Sequence, residues 1–349
     1  MVENQLPLLL TAYGLPYSMG YIPLQDGSAN PSPWTVIELM DQAAELGLSG
    51  IEIPLTSRVP SFEGRTIEVV GPADDLGERL REREMRIVAD YGVVVENDVE
   101  AFRQYLRMAK RTGAAVVRAT LSNVLCGDRR TCPGGWPARL EAVAARLREV
   151  FPLAEELGLT IALENHQDAT TDDLLRLADM VGNHPSFGIT FDTGNPLAMA
   201  EDPVDAANRM AHLIRHVHLK DYTIHFAPQG YRLVRCAAGN GVIDFSAILA
   251  IVRANGHTVV PGIEIAAQTT RTSPFLDRGW WSTYPPRDAA ELVGLLQILW
   301  SQGRPASEPY SSAWERGASP EEVLAEEWEV VKQSVEYFRS NVLAPLAWR

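Results

Sequence analysis

The feature that most constrains this chain is an eightfold alternation of short apolar segments, bounded by turn residues, with longer segments of helical period. The pattern predicts strands over 8–13, 50–55, 86–91, 114–121, 160–164, 187–192, 216–220 and 258–265. Helices are predicted between them over 34–46, 73–84, 99–112, 137–157, 171–181, 203–213 and 245–255. Alternation of this kind, with no second compositional region, implies parallel strands joined by crossover helices, and eight units is the number that closes into a barrel. A doubly wound open sheet is the alternative. Against it, no G-x-G-x-x-G follows the first strand, and polar residues collect at the ends of the late strands. The expected fold is an α/β protein, a (β/α)8 TIM barrel over residues 1–305, with a C-terminal helical extension over 306–349 packed on the barrel or on a partner subunit. Residues 265–287 are rich in Pro, Thr, Arg and aromatics, and helices are predicted after them over 288–300 and 320–343, the second amphipathic.

Charge narrows the partners. The chain of 349 residues carries 31 basic and 45 acidic side chains, a formal charge of −14. Nucleic-acid binding depends on clustered Lys and Arg neutralising phosphates, and no basic run is present, so no nucleic-acid partner is expected. Cys126, Cys132 and Cys236 are too few and too scattered for a disulfide framework, and none shows C-x-x-C spacing. The apolar run from Leu6 to Leu10 is too short for a signal-peptide core or a membrane span. A soluble, cytoplasmic protein with no membrane partner is the expectation.

Polar groups stand where buried strands run out. Ile161-Ala-Leu-Glu164-Asn-His166 ends the fifth, Ile189-Thr-Phe-Asp192-Thr-Gly-Asn195 the sixth, His216-Val-His218-Leu-Lys220-Asp221 the seventh, and Gly262-Ile-Glu264 the eighth. In a barrel these ends converge on one mouth. A single Glu at a strand end is commonly a helix cap or faces solvent, but carboxylate or imidazole groups on four successive strand ends are economically explained by a shared cation. Two Glu, one Asp and one His form an oxygen-rich set that suits Mn²⁺, Mg²⁺ or Co²⁺ better than a structural zinc site. Alternation puts His216 and His218 on one strand face, so one is a candidate ligand and the other its neighbour in a packed layer.

These motifs, with the later Gly239-Asn-Gly241-Val-Ile-Asp244-Phe245, resemble the xylose isomerase-like barrel superfamily, in particular its sugar phosphate isomerase/epimerase, inosose dehydratase and endonuclease-IV-like branch. The resemblance implies that Glu164, Asp192, His218 and Glu264 bind one divalent cation, Mn²⁺ before Mg²⁺ or Co²⁺. It implies also that Glu164 and Glu264 flank a carbohydrate substrate as an acid–base pair, and that the Gly-rich stretch leads into the last helix. The chemistry is α-proton abstraction to an enediolate, ending in isomerisation, epimerisation or β-elimination, with Lys220 or His166 as the acid that helps expel a hydroxyl or glycosyl oxygen.

Two departures tilt the expectation towards a lyase or dehydratase acting on an inosose or 3-keto-glycoside. Asn195 stands where many ketose epimerases have a substrate-touching His, and Ile224 where they place a substrate-binding Arg. Asn195, Arg118, His216 and Trp280 are the candidate substrate contacts. Each has a plainer alternative: Lys220 pairs with Asp221 or a neighbouring loop acid, Arg118 and Glu52 pair with oppositely charged neighbours, and Trp280 with Trp281 and Tyr284 packs the extension instead of forming a lid. Cys126 and Cys132 are given no catalytic role. A homo-oligomer is expected, with a separate hetero-subunit as the alternative. Readings of other classes are a phosphodiesterase, which seven His residues and the net charge oppose, and a metal-free, non-catalytic barrel, which the intact four-residue set opposes.

Overall fold

A computed structural model of the protein describes residues 6–55, 73–265, 270–308 and 310–343. The expectations for the first five residues, and those parts of the 265–287 and 306–349 segments that fall on 266–269, 309 and 344–349, lie outside the described residues. The strands are β1 (Leu6–Thr11), β2 (Leu48–Pro54), β3 (Arg86–Val93), β4 (Val116–Thr120), β5 (Thr160–Glu164), β6 (Phe187–Asp192), β7 (Ile214–Leu219), β8 (Tyr222–Ala227), β9 (Gly230–Arg235), β10 (Gly262–Ile263) and β11 (Arg271–Ser273). Eight of them close into a barrel in the order β1-β10-β7-β6-β5-β4-β3-β2, and every pairing is parallel.

Strand composition explains the burial. Strands in a parallel barrel are covered on both faces, and β6 is buried at all six positions. The outward set (Ile51, Ile53, Val117, Ile161, Leu163, Ile189, Val217, Ile263) belongs to one apolar core beneath the helices. The helix signals also act as written: Thr35 and Glu38 form a capping box at Val36–Glu45, and Thr170 and Asp173 form another at Thr171–Met180. Gly158, at φ +64°, ends the 22-residue helix Trp136–Leu157 in the left-handed conformation that a side chain disfavours.

Several predicted bounds need correction. The eighth barrel strand is Gly262–Ile263, not 258–265, because Pro261 has no N–H to donate to the ladder and only two residues pair with each neighbour. The helix predicted over 203–213 ends at Met210 and tightens into a 3-10 turn. The 288–300 segment is a short 3-10 turn followed by the helix Val293–Gln302, and the last predicted helix is regular only over Pro320–Tyr337 before a wider turn at 338–343. The sheet β11-β9-β8 was not anticipated: β8 and β9 form an antiparallel hairpin directly after the seventh barrel strand. Its two-residue link, Pro228-Gln229, joins alternating segments that read as loop when only barrel strands are sought.

The last helix packs on loops of the barrel. Buried Glu327 accepts hydrogen bonds from the backbone N–H of Tyr17 at 2.8 Å and of Ser18 at 2.9 Å, and from the Ser18 hydroxyl at 2.6 Å. Trp328 packs edge-on against Trp34, and Ser334 Oγ accepts from Ala238 N. No helix among the described residues is long and apolar enough to cross a membrane.

At the rim, buried Asp168 receives the Ser122 hydroxyl at 2.6 Å, tying the loop after β5 to the loop after β4. Burial pushes its carboxyl up to about 7.

Two predictions follow from this packing. Replacing Glu327 by Ala strands three buried donors, so urea unfolding should show a loss of about 3 kcal/mol, with Glu327→Gln recovering part of it. For Asp168, the folded chain keeps a proton that the unfolded chain releases near pH ~3.9. Its contribution is therefore fully present below that value and declines as pH rises to about 7. The stability of the wild type relative to Asp168→Asn should fall between these two pH values and stay flat above them. A difference that does not change with pH would refute the assignment.

Candidate active site

The barrel's alternation turns one face of each strand inward, and the inward positions carry charge. Glu52, Asp90, Arg118, Glu164, Asp192, His216, His218, Lys220 and Glu264 are all buried and converge on the C-terminal mouth. Strand register places them: Asp90 pairs with Arg118 across β3 and β4, Asp192 with His218 across β6 and β7, and Gly262 with His218 across β10 and β7.

Glu164, Asp192, His218 and Glu264 form one group whose ligand atoms lie within 4.8 Å of one another. His218 Nδ1 lies 2.8 Å from Glu264 Oε2 and 3.8 Å from Glu164 Oε1, yet neither Nδ1 nor Glu264 Oε2 makes an aligned hydrogen bond among the described residues. Asp192 Oδ2 likewise has no aligned partner, although Lys220 Nζ is 2.5 Å away. Asp192 Oδ1 accepts from the N–H groups of Gly194 and Asn195, which fixes the carboxylate with its other oxygen inward. Buried atoms from an imidazole and two carboxylates that lack aligned hydrogen bonds and face one space are the donor set a divalent cation requires. The four residues fit such an ion.

Positive charge surrounds this group. Lys220 pairs with Asp192 and, at 2.7 Å, with Glu264 Oε1, not with Asp221. Asp221 instead accepts backbone N–H groups from Tyr222, Gly239, Gly241 and Ile243, organising the Gly-rich loop that ends at Asp244, the cap of helix Phe245–Ala254. Arg118 binds Glu164 Oε2 directly and lies 3.8 Å from Asp90, with its guanidinium 5.5 Å from the centre of the Tyr13 ring. Asn195 Nδ2 donates to Glu164 Oε1 at 3.0 Å.

Titration follows from these contacts. Burial alone would raise Glu164 and Glu264. Arg118 with His218 outweighs it at Glu164, and Lys220 with His218 outweighs it at Glu264, so both carboxyls lie well below the usual range. Lys220 is held above its ordinary value against burial by Asp192 and Glu264. Burial lowers His166 to about 4, so its ring is neutral near pH 7. Asp90 rises well above a normal carboxyl, through burial and then the charge of Glu52 beside it.

The remaining candidates sit elsewhere. Both nitrogens of the His216 ring are engaged, Nδ1 with Val260 O at 3.0 Å and Nε2 with Glu52 at 2.8 Å. Trp280 is fully buried: its Nε1 donates to Cys126 O, and its ring packs on Trp281 and Tyr284. Cys126 and Cys132 are free thiols. Sequence reasoning passed over Asp90 and Arg235. A charged residue inside the apolar third strand was the available signal for Asp90, the same one that exposed Arg118. Arg235, at the end of β9 and 3.8 Å from Glu264 Oε1, was hidden because its hairpin was not anticipated.

Comparison with known proteins identifies the family and the fold. The chain is 26% identical over 238 residues to 3-oxo-isoapionate decarboxylase of Pectobacterium atrosepticum, covering 66% of this chain and 77% of that protein. It is 26% identical over 149 residues to inosose dehydratase of Lacticaseibacillus casei, covering 39% of this chain and half of the relative. The fold superposes on the crystal structure of the IOLI protein with a bound zinc atom with a TM-score of 0.55 at 14% identity, over 95% of this chain and 99% of that one. The family model described as xylose isomerase-like TIM barrel matches residues 40–278, well over half of the chain, and the protein belongs to that family.

Proposed function

We propose that this protein is a divalent-cation-dependent enzyme that removes the proton beside the carbonyl of a small polyhydroxylated ketone, a keto-sugar or a polyol-derived ketone such as an inosose. The observation that carries this reading is the buried set Glu164, Asp192, His218 and Glu264, in which Asp192 Oδ2, His218 Nδ1 and Glu264 Oε2 face one space without an aligned hydrogen bond. Mn²⁺ is the ion proposed, with Mg²⁺ and Co²⁺ as the alternatives for so oxygen-rich a set. When bound, the ion supplies the positive charge that a substrate oxygen needs as the neighbouring proton leaves.

The chain's own groups divide the remaining work. Glu164 on β5 and Glu264 following β10 flank the intervening strands β6 and β7, so the two carboxylates approach the site from different sides. Both are ionised, as a base must be. Glu164 is held by Arg118 and Asn195, which on this reading position the base instead of gripping the substrate. Glu264 takes the α-proton, and Glu164 returns it for epimerisation. Lys220 and His166 serve the oxygen that departs in β-elimination, and Arg235 beside Glu264 adds a cation for a substrate oxygen. His216 and Trp280, both buried and engaged, receive no substrate role. Supporting the lyase branch is the similarity to an inosose dehydratase. The similarity to a decarboxylase favours a second reading, because losing carbon dioxide from a 3-oxo acid leaves the same carbanion beside a carbonyl as losing a proton.

Protein stripped with a chelator and then titrated with Mn²⁺ should take up one ion per chain, with Glu164→Gln and Glu264→Gln binding about 10- to 100-fold more weakly. Failure of the wild type to bind any divalent cation would end this reading. In D₂O, NMR over ketoses, inososes and 3-keto-glycosides should show solvent deuterium entering beside the carbonyl, about 10³-fold more slowly in Glu264→Gln. An intact skeleton marks an isomerase or epimerase, loss of water or an aglycone marks a lyase, and release of carbon dioxide from a 3-oxo acid marks a decarboxylase. Absence of all four signals would refute carbanion chemistry.

A further inference from the structure

A second buried cluster lies directly behind the first. Glu52, His216 and His218 also bring their donor atoms within 4.8 Å of one another, and His218 belongs to both groups. The clusters differ in how those atoms are satisfied. On the Glu52 side each contact is a hydrogen bond: His218 Nε2 to Glu52 Oε1 at 2.7 Å and His216 Nε2 to Glu52 Oε2 at 2.8 Å. On the other side His218 Nδ1 and Glu264 Oε2 remain without aligned partners. The first arrangement is closed by its own hydrogen bonds, and the second is open.

A neutral imidazole has one N–H and one lone pair, so a ring that gives its lone pair to an ion at one nitrogen must carry its proton on the other. Which nitrogen does which is decided by the partner of the N–H. We propose that Glu52 is a positioning residue that accepts the Nε2 proton of His218 and so presents Nδ1, as a lone-pair donor, to the space shared with Glu164, Asp192 and Glu264. The inference rests on the cation-binding reading of that space.

Three features hold Glu52 to this task. Its second oxygen is fixed by His216, whose other nitrogen is anchored on Val260 O at 3.0 Å. The two imidazoles stand perpendicular, at 90° with centroids 5.1 Å apart, so one carboxylate bridges both without the rings competing for one direction. Gly262 leaves room for it: a Cβ there would come within 2.9 Å of Glu52 Oε2 and 2.7 Å of Thr11 Cγ2. The glycine of the eighth strand is thus required by close approach of the carboxylate.

The test uses the full chain with Co²⁺ or Zn²⁺ alone. In the Zn²⁺-loaded wild type, ¹⁵N NMR of labelled histidines should show His218 metallated at Nδ1 and protonated at Nε2. Glu52→Gln should bind Co²⁺ about 10- to 100-fold more weakly and alter its visible absorption, and Glu52→Asp, which keeps the carboxylate, should recover part of the affinity. Ligation through Nε2 in the wild type, a measurement that needs no variant, would overturn the inference while leaving the cation site standing. Unchanged Co²⁺ affinity in Glu52→Gln would do the same. A wild type that binds neither ion removes the cation site itself, and the inference with it.

Discussion

Burying charge without water is the constraint on which this structure turns. Five carboxyl groups, two imidazoles, one guanidinium and one ammonium share the interior of the barrel mouth, each almost wholly removed from solvent. A single unpaired ion in such a place costs several kcal/mol, so each group must have a counter-charge, a hydrogen bond or a shifted protonation state. Arg118 balances Glu164, Lys220 balances Asp192 and Glu264, and burial beside Glu52 pushes the Asp90 carboxyl well above its ordinary value. Strand ends are the only part of a parallel barrel where so many polar groups can meet without disturbing the apolar layer between strands and helices.

That same constraint explains which atoms are left over. Pairing satisfies both oxygens of Glu164 through Arg118 and Asn195 and one of Glu264 through Lys220, and the backbone satisfies one of Asp192. Three of the atoms without aligned partners, on Asp192, His218 and Glu264, sit together because β6, β7 and β10, which carry or precede these residues, follow one another in the barrel.

Much of this was legible in the chain. Eight apolar segments and the helical periods between them specified the barrel, because parallel strands buried on both faces read as apolar runs. The four proposed ligands stood out as a set, because any one of them alone could cap a helix or face solvent, whereas carboxylate or imidazole groups on four successive strand ends are hard to explain separately. Less visible was what alternation hides. Glu52 and His216 are separated by 164 positions, and their contact exists only because the barrel closes. The hairpin of β8 and β9 was obscured by the assumption that segments after a barrel strand are loop. The short β10 was overextended because Val259 and Val260 favour a strand while Pro261 denies it a donor. Lys220 shows the limit of local reasoning: adjacency suggested Asp221, but four backbone N–H groups already hold that carboxylate, and the side chain pairs instead with carboxylates at the ends of the two neighbouring strands.

On the proposed reading, the division of labour between the two ends of the site follows from what each must do. Negative charge always develops on the same substrate oxygens, whether a proton or carbon dioxide departs, so the groups that manage it can be rigid, buried and borne on strands or at their ends. The departing group differs from one reaction to another. Residues that meet it are supplied by connections that can change without disturbing the barrel: the loop carrying His166 after β5 and the hairpin carrying Arg235 after β7. Arg235 lies within 3.8 Å of Glu264 although the hairpin itself is outside the barrel sheet. A cation delivered from an appended sheet, set against a strand-borne cluster of carboxylates, is therefore where substrate choice in this chain has most freedom to vary.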